Sequence, residues 1–172
     1  SKNGTLKNMD DNDWVTSNVP LADLPSAYQN NVVGLWKSIG TADSDTSDGL
    51  SLSVDIALSN DFIILGNNDN NNGTSTSSIL GLNLISDRVW YFEEIGDVTA
   101  DVKIDISEAT GYSGGETLTA NNYKLLFKTC VMCDYSDISD GLSISVNGTD
   151  ITFSNVIIKD GYYSIGSKDT NL

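Results

Sequence analysis

The sequence predicts an all-β fold, an antiparallel β-sandwich, formed either as one sheet pair or as two related halves of an internal duplication. Three observations predict it. Apolar residues alternate with polar ones at a period of two, Gly, Asn and Asp residues punctuate the alternating runs, and one stretch of the 172-residue chain occurs twice.

The elements follow in chain order. Pro20 and Pro25 bound a short helical turn near Leu21 to Tyr28, the only helical signal in the chain. Leu50, Leu52, Val54 and Ile56 alternate with Ser51, Ser53 and Asp55, as a strand with one buried face requires. Val102, Ile104 and Ile106 do the same against Lys103, Asp105 and Ser107. Further strands are predicted at 61–65, 88–93, 123–129, 142–146, 151–157 and 162–165, with Asn147-Gly148 as a hairpin turn. Trp90, beside Val89 in such a run, is a core residue rather than a ligand contact.

The duplication is explicit. Ser44-Asp45-Thr46-Ser47-Asp48-Gly49-Leu50-Ser51-Leu52-Ser53-Val54 recurs as Ser136-Asp137-Ile138-Ser139-Asp140-Gly141-Leu142-Ser143-Ile144-Ser145-Val146, identical at nine of eleven positions. Upstream, Asn30-Asn31 and Leu35-Trp36-Lys37-Ser38 answer Asn121-Asn122 and Leu126-Phe127-Lys128-Thr129. Roughly 18–66 and 109–166 therefore read as related halves, and the chain divides into an N-terminal β half, 1–80, and a C-terminal half, 81–172, or forms one composite domain. The first half is short of strands and is expected to borrow them from the second half or from a neighbouring chain.

Charge narrows the partners. Twenty-four Asp and Glu against nine Lys and Arg give a net charge of −15, which repels nucleic-acid phosphates and anionic membranes. No apolar run reaches the length of a membrane helix, so membrane insertion is not expected. The N-terminus lacks the pattern of a signal peptide, so an exported protein would carry that signal outside this stretch.

Cys130 and Cys133 are the two cysteines, in one CxxC. With no histidine and no second cysteine pair, a zinc site lacks ligands. The motif follows the strand-like Tyr123-Lys124-Leu125-Leu126-Phe127 rather than opening a helix, which disfavours a thioredoxin-like role and favours a local disulfide pinning a loop.

Two acidic clusters sit at nearly equivalent places in the duplicated halves, Asp43, Asp45 and Asp48 in the first and Asp134, Asp137 and Asp140 in the second. Crowded carboxylates ahead of a buried strand are candidate calcium ligands, although neither cluster has EF-hand spacing. Asn67-Asn68-Asp69-Asn70-Asn71-Asn72-Gly73 reads as a turn, and Asp10, Asp11 and Asp13 as a solvated terminus. Asn3, Asn72 and Asn147 match the glycosylation acceptor pattern.

Catalysis finds no foothold. Histidine is absent, no Ser-Lys or G-x-S-x-G arrangement is present, and Glu93, Glu94, Glu108 and Glu116 have no context that marks an acid–base pair. The chain is expected not to be an enzyme.

The string Ser86-Asp87-Arg88-Val89-Trp90-Tyr91-Phe92-Glu93-Glu94-Ile95-Gly96-Asp97-Val98, with Tyr123-Lys124-Leu125-Leu126 and the closing Lys159-Asp160-Gly161-Tyr162-Tyr163-Ser164-Ile165-Gly166, resembles a β-sandwich module of large secreted bacterial adhesin-like surface proteins. The segment Asn60 to Asp69 is similar to the one that precedes that string there. The resemblance covers about 60–166, while the CxxC and the N-terminal part depart from it. It implies export and display at the cell surface within a multidomain chain, and it carries no catalytic residues.

Three classes of function follow. The first is an extracellular adhesion or structural module, calcium-stabilised, that meets a surface glycan or protein. The second is a carbohydrate-binding module using exposed aromatic rings, with Trp14, Trp36 and Tyr112 as candidates. The third is a filament subunit that exchanges strands with neighbouring copies of itself or with adjacent modules.

Overall fold

The computed structural model describes residues 25–28, 30–36, 43–54, 62–68 and 72–172. They form two antiparallel sheets that pack face to face, the sandwich the alternation predicts.

The larger sheet holds β1 (Asn30–Trp36), β4 (Phe62–Asn67), β5 (Thr74–Thr76), β6 (Leu84–Ser86), β7 (Trp90–Ile95), β9 (Tyr123–Lys128), β10 (Ser136–Asp137) and β13 (Gly161–Ser167). The smaller sheet runs β11 (Ser143–Asn147), β12 (Asp150–Ile157), β8 (Thr99–Asp105), β3 (Leu50–Val54), β2 (Asp43–Ser47). In the larger sheet β13 has β9 along one side and β7 and then β6 along the other, so it is enclosed laterally and every one of its residues is buried.

The core is made by alternation. Ile63 and Leu65 of β4, Trp90 and Phe92 of β7, Tyr123 and Leu125 of β9, and Tyr163 and Ile165 of β13 face Leu50 and Leu52 of β3, Val102 and Ile104 of β8, and Ile151 and Phe153 of β12 in one cluster. Each such fully buried side chain contributes about 1.5–3 kcal/mol relative to exposure, which makes this cluster the dominant stabilising term. Trp90 is wholly buried there, as its place in the strand requires.

Strands from either side of residue 80 share both sheets. β3 pairs with β8 and β4 pairs with β7, so the first half takes its missing neighbours from the second and the core is continuous across that point.

Three details differ from the sequence expectation. Ile106 opens a short helix, α1 (Ile106–Thr110), instead of ending a strand: the Asp105 carboxylate accepts from the Ser107 N–H at 2.9 Å, and Gly111 at φ 78 closes the turn. The hairpin after β11 centres on Gly148-Thr149, one residue later than predicted, because Asn147 pairs with Asp150 and only Gly148, at φ 62, takes the positive φ. That sign pattern belongs to a type II′ turn, which wants glycine first. Of the predicted helical turn, Ser26–Tyr28 is a 3-10 turn, while 21–24 lie outside the described residues, as do Ile56, Asp69 to Asn71 and the acidic Asp10, Asp11 and Asp13.

The duplicated stretch is also used in two ways. The first copy is a hairpin within the smaller sheet, β2 and β3 joined through Asp48-Gly49. The second copy splits, placing β10 against β9 in the larger sheet and β11 against β12 in the smaller.

Candidate functional site

β9 ends at Lys128, and the chain then turns back within the four residues from Cys130 to Cys133. The two cysteines are disulfide-bonded with their Cα atoms 5.1 Å apart, and the Cys133 N–H donates to the Cys130 carbonyl at 3.1 Å. The bond consumes both sulfurs, as the lone CxxC predicted. A ring this small cannot fold its central side chains back over itself, so Val131 and Met132 point outward, 55% and 92% exposed.

Beneath the loop lies a shelf of tyrosines. In β7 Trp90 and Phe92 face the core, which turns Tyr91 to the outer face; in β13 Tyr163 faces inward and Tyr162 outward. The register pairs Tyr91 with Tyr162, and their rings meet edge to face at 4.9 Å. Tyr28, from the turn before β1, packs against Tyr162 at 5.1 Å and against Tyr91 at 6.2 Å. Edge-to-face pairs of this kind add about 0.5–1.5 kcal/mol each beyond burial.

Lys128, paired in register with Tyr162, joins shelf to loop. Its Nζ donates to the Val131 carbonyl at 2.9 Å, lies 4.5 Å from the centre of the Tyr135 ring and 5.9 Å from that of Tyr162. Burial of the ammonium pushes its pKa down, and Asp134 partly opposes the shift. Burial pushes the Tyr135 phenol well up, with Tyr28 adding to it, and its buried hydroxyl makes no hydrogen bond among the described residues. The arrangement is a cluster of packed aromatic rings around one ammonium, with Tyr162 buried and Tyr28, Tyr91 and Tyr135 partly exposed.

The acidic clusters resolve differently. Asp137 Oδ2 accepts from Lys124 Nζ at 2.9 Å, while Oδ1 accepts from the Ser139 N–H at 2.8 Å. Asp140 is 3.8 Å from the same ammonium and its side chain is 98% exposed. Asp134 is exposed beside the disulfide loop. In the first copy Asp48 Oδ2 accepts from Asn67 Nδ2 at 2.8 Å and faces Arg88 at 3.6 Å, and Asp43 and Asp45 are alternate residues of β2 whose side chains lie outside the description. Among the described residues no three Asp, Glu, His or Cys side chains gather closely enough to hold a metal ion.

Of the aromatic candidates, Tyr112 follows α1 and packs against the core, partly buried, with its hydroxyl oxygen buried. Trp36 is the last residue of β1, its side chain outside the description, and Trp14 lies outside the described residues. The tyrosine shelf was missed by sequence reasoning. Its signal was present in the neighbours Trp90-Tyr91 and Tyr162-Tyr163, where alternation must send one aromatic of each pair outward.

Comparison with protein-family models, with curated proteins and with solved structures finds no match to this chain.

Proposed function

We propose that the chain is an extracellular surface module, adhesive or structural, that meets a surface protein or glycan through the disulfide loop and its tyrosine shelf. The observation that carries the reading is the display of Val131 and Met132 by a covalently closed loop braced on Lys128 and Tyr135. A loop fixed in advance loses little freedom on binding, which is where affinity is usually spent. Met and aromatic residues are enriched in contact surfaces, and disulfides persist in oxidising, extracellular settings. The strong negative charge of the chain suits a soluble display module and opposes nucleic acid.

The test uses intact source cells. Antibody to this chain should label them without permeabilisation, and fluorescent recombinant protein should bind their surface saturably. Val131→Asp with Met132→Asp, both on exposed positions, should reduce that binding at least tenfold with the melting temperature unchanged. Labelling that appears only after permeabilisation would remove the extracellular reading, and binding indifferent to the double substitution would remove the loop.

A further inference from the structure

The hairpin that carries the cysteines is fastened at its base by bonds other than the disulfide. β9 and β10 pair at Phe127↔Ser136 and Leu126↔Asp137, and Lys124 Nζ lies 2.9 Å from Asp137 Oδ2 across the same two strands. Of residues 129–134, which follow β9 and contain both cysteines, Cys133 is partly covered and the others are exposed. None of them belongs to the core cluster.

A cross-link and a fold stabilise each other by the same free energy, because reduction and unfolding close one thermodynamic cycle. The entropy that a disulfide removes from the unfolded chain grows with the loop it closes, so a bond between residues three apart removes little, and no core contact depends on it here. The fold therefore does little to keep these sulfurs oxidised. The surroundings also suit exchange. Cys130 is the more exposed residue of the pair, which opens it to an incoming thiolate, and the Thr129 hydroxyl lies 3.7 Å from Cys133 Sγ, placed to donate to that sulfur once it carries charge.

We propose that Cys130 and Cys133 form a clasp worked by low-molecular-weight thiols: exchange reduces the bond in the folded protein, the loop presenting Val131 and Met132 loosens, and the sandwich stays intact. A thiol, as its thiolate, attacks Cys130 Sγ; the S–S bond breaks with its electron pair leaving on Cys133, and a mixed disulfide forms on Cys130. A second thiolate attacks the small-molecule sulfur of that mixed disulfide, so the thiol's own disulfide departs and Cys130 is released as a thiolate. The cysteines take up the two protons that the thiols gave up, and two electrons have passed from the thiols to the protein. After reduction the turn is kept only by the Cys133 N–H on the Cys130 carbonyl and Lys128 Nζ on the Val131 carbonyl, bonds of an exposed loop that hold weakly against water. With two residues between them the sulfurs stay near enough to close again when the thiol's disulfide is in excess, and β9 and β10 hold the ends of the loop for that return. As a control on binding, the clasp rests on the loop being the contact surface proposed above; the exchange itself does not.

The full chain is equilibrated without oxygen in glutathione buffers of graded ratio, reduced glutathione squared over oxidised, and its thiols are trapped by alkylation and counted by mass. The midpoint ratio should lie within about tenfold of that of the peptide acetyl-Lys-Thr-Cys-Val-Met-Cys-Asp-Tyr-amide, since a fold that does not hold the bond leaves its equilibrium unchanged. The reduced, alkylated chain should melt within about 2 °C of the oxidised one, as a fold of this size shows when the stability change is small. Amides of residues 129–134 should exchange with deuterium at least tenfold faster after reduction while those of β9 and β13 keep their rates, and Cys130→Ser with Cys133→Ser should show the fast exchange without thiol and no response to it. A midpoint displaced further toward the reducing side, a larger fall in melting temperature, or loop amides indifferent to reduction would each overturn the proposal. Saturable binding to source cells should fall at least tenfold on reduction; unchanged binding with responsive loop amides would remove the loop as the contact surface and leave the clasp standing.

Discussion

Lys124 holds Asp137: its Nζ lies 2.9 Å from Oδ2, and the side chains are 17% and 31% exposed. Lys124 is in β9 and Asp137 in β10, so this pair fastens the edge of the larger sheet just before the chain crosses between layers. Lys124→Met should therefore destabilise the fold by about 1 kcal/mol, the upper range for a pair still partly in water, measured by urea unfolding.

Acid should weaken the fold through three carboxylates. Burial raises each of them, but hydrogen bonds outweigh it: from Ser107 and Thr149 on Asp105, from Lys124 and Ser139 on Asp137, and from Ser167, Asn171 and Asn122 on Asp169. All three end below the ordinary carboxylate value. A group held low in the folded state binds fewer protons there than when unfolded, so its contribution is complete above the unfolded pKa of about 3.9 and disappears as pH falls through the folded one. Urea midpoints should hold from pH 6 to about pH 5 and fall below it, more gently in Asp137→Asn.

Alkali should act through the phenols. Burial is the first cause that raises Tyr123, Tyr135 and Tyr163, followed by Asp169 at Tyr123, by Tyr28 at Tyr135 and by Glu94 and Asp160 at Tyr163, where the hydrogen bond from the Lys159 backbone pulls the other way. Raised folded values mean stability that is complete below the unfolded pKa of about 10 and is lost as pH rises beyond it. Ultraviolet titration should show these phenols ionising together with unfolding. Smooth ionisation in a chain that stays folded would contradict the burial.

Two glycines at matching places in the duplicated stretch should respond unequally. Gly49 and Gly141 stand at φ 88 and 83, so alanine costs about 1 kcal/mol at either for the left-handed backbone alone. At Gly49 the new Cβ would also meet Ala109 N at 2.8 Å and Asp105 O at 2.9 Å, whereas at Gly141 nothing lies within 4 Å. Gly49→Ala should cost about 3 kcal/mol in all, with the excess set by backbone that cannot yield.

Calcium gives the last comparison. Lys124 and Ser139 already serve Asp137, and Asn67 and Arg88 already serve Asp48, so an ion would have to displace protein donors. The melting midpoint should shift by less than about 1 °C between millimolar calcium and chelator, whereas a site filled at a hundred times its Kd would add about 2.7 kcal/mol. A rise of several degrees that disappears in Asp43→Asn with Asp45→Asn would instead place calcium at the first copy.

The sequence by itself determined which face of each strand is buried. Period-two alternation sends Leu50 and Leu52, Val102 and Ile104, Trp90 and Phe92 inward whatever sheet they join, and two cysteines three residues apart close a loop on themselves. What it could not determine is how identical local sequence is used. Ser47-Asp48-Gly49-Leu50 is a hairpin turn with positive φ at both central residues, 47 and 88, and Arg88 Nη1 donates to the Asp48 carbonyl at 3.2 Å. Ser139-Asp140-Gly141-Leu142 has positive φ only at Gly141, 83, with the Leu142 N–H on the Ser139 carbonyl at 3.1 Å, and it carries the chain from one sheet to the other. Both turns are open to Asp-Gly. The choice was made by distant partners: Asn67 and Arg88 hold the first turn, and Lys124 with the Leu125 N–H holds the second. The tyrosine shelf follows from the same cause, since strand pairing brings its residues together, and no local sequence signal encodes a contact between positions so far apart in the chain.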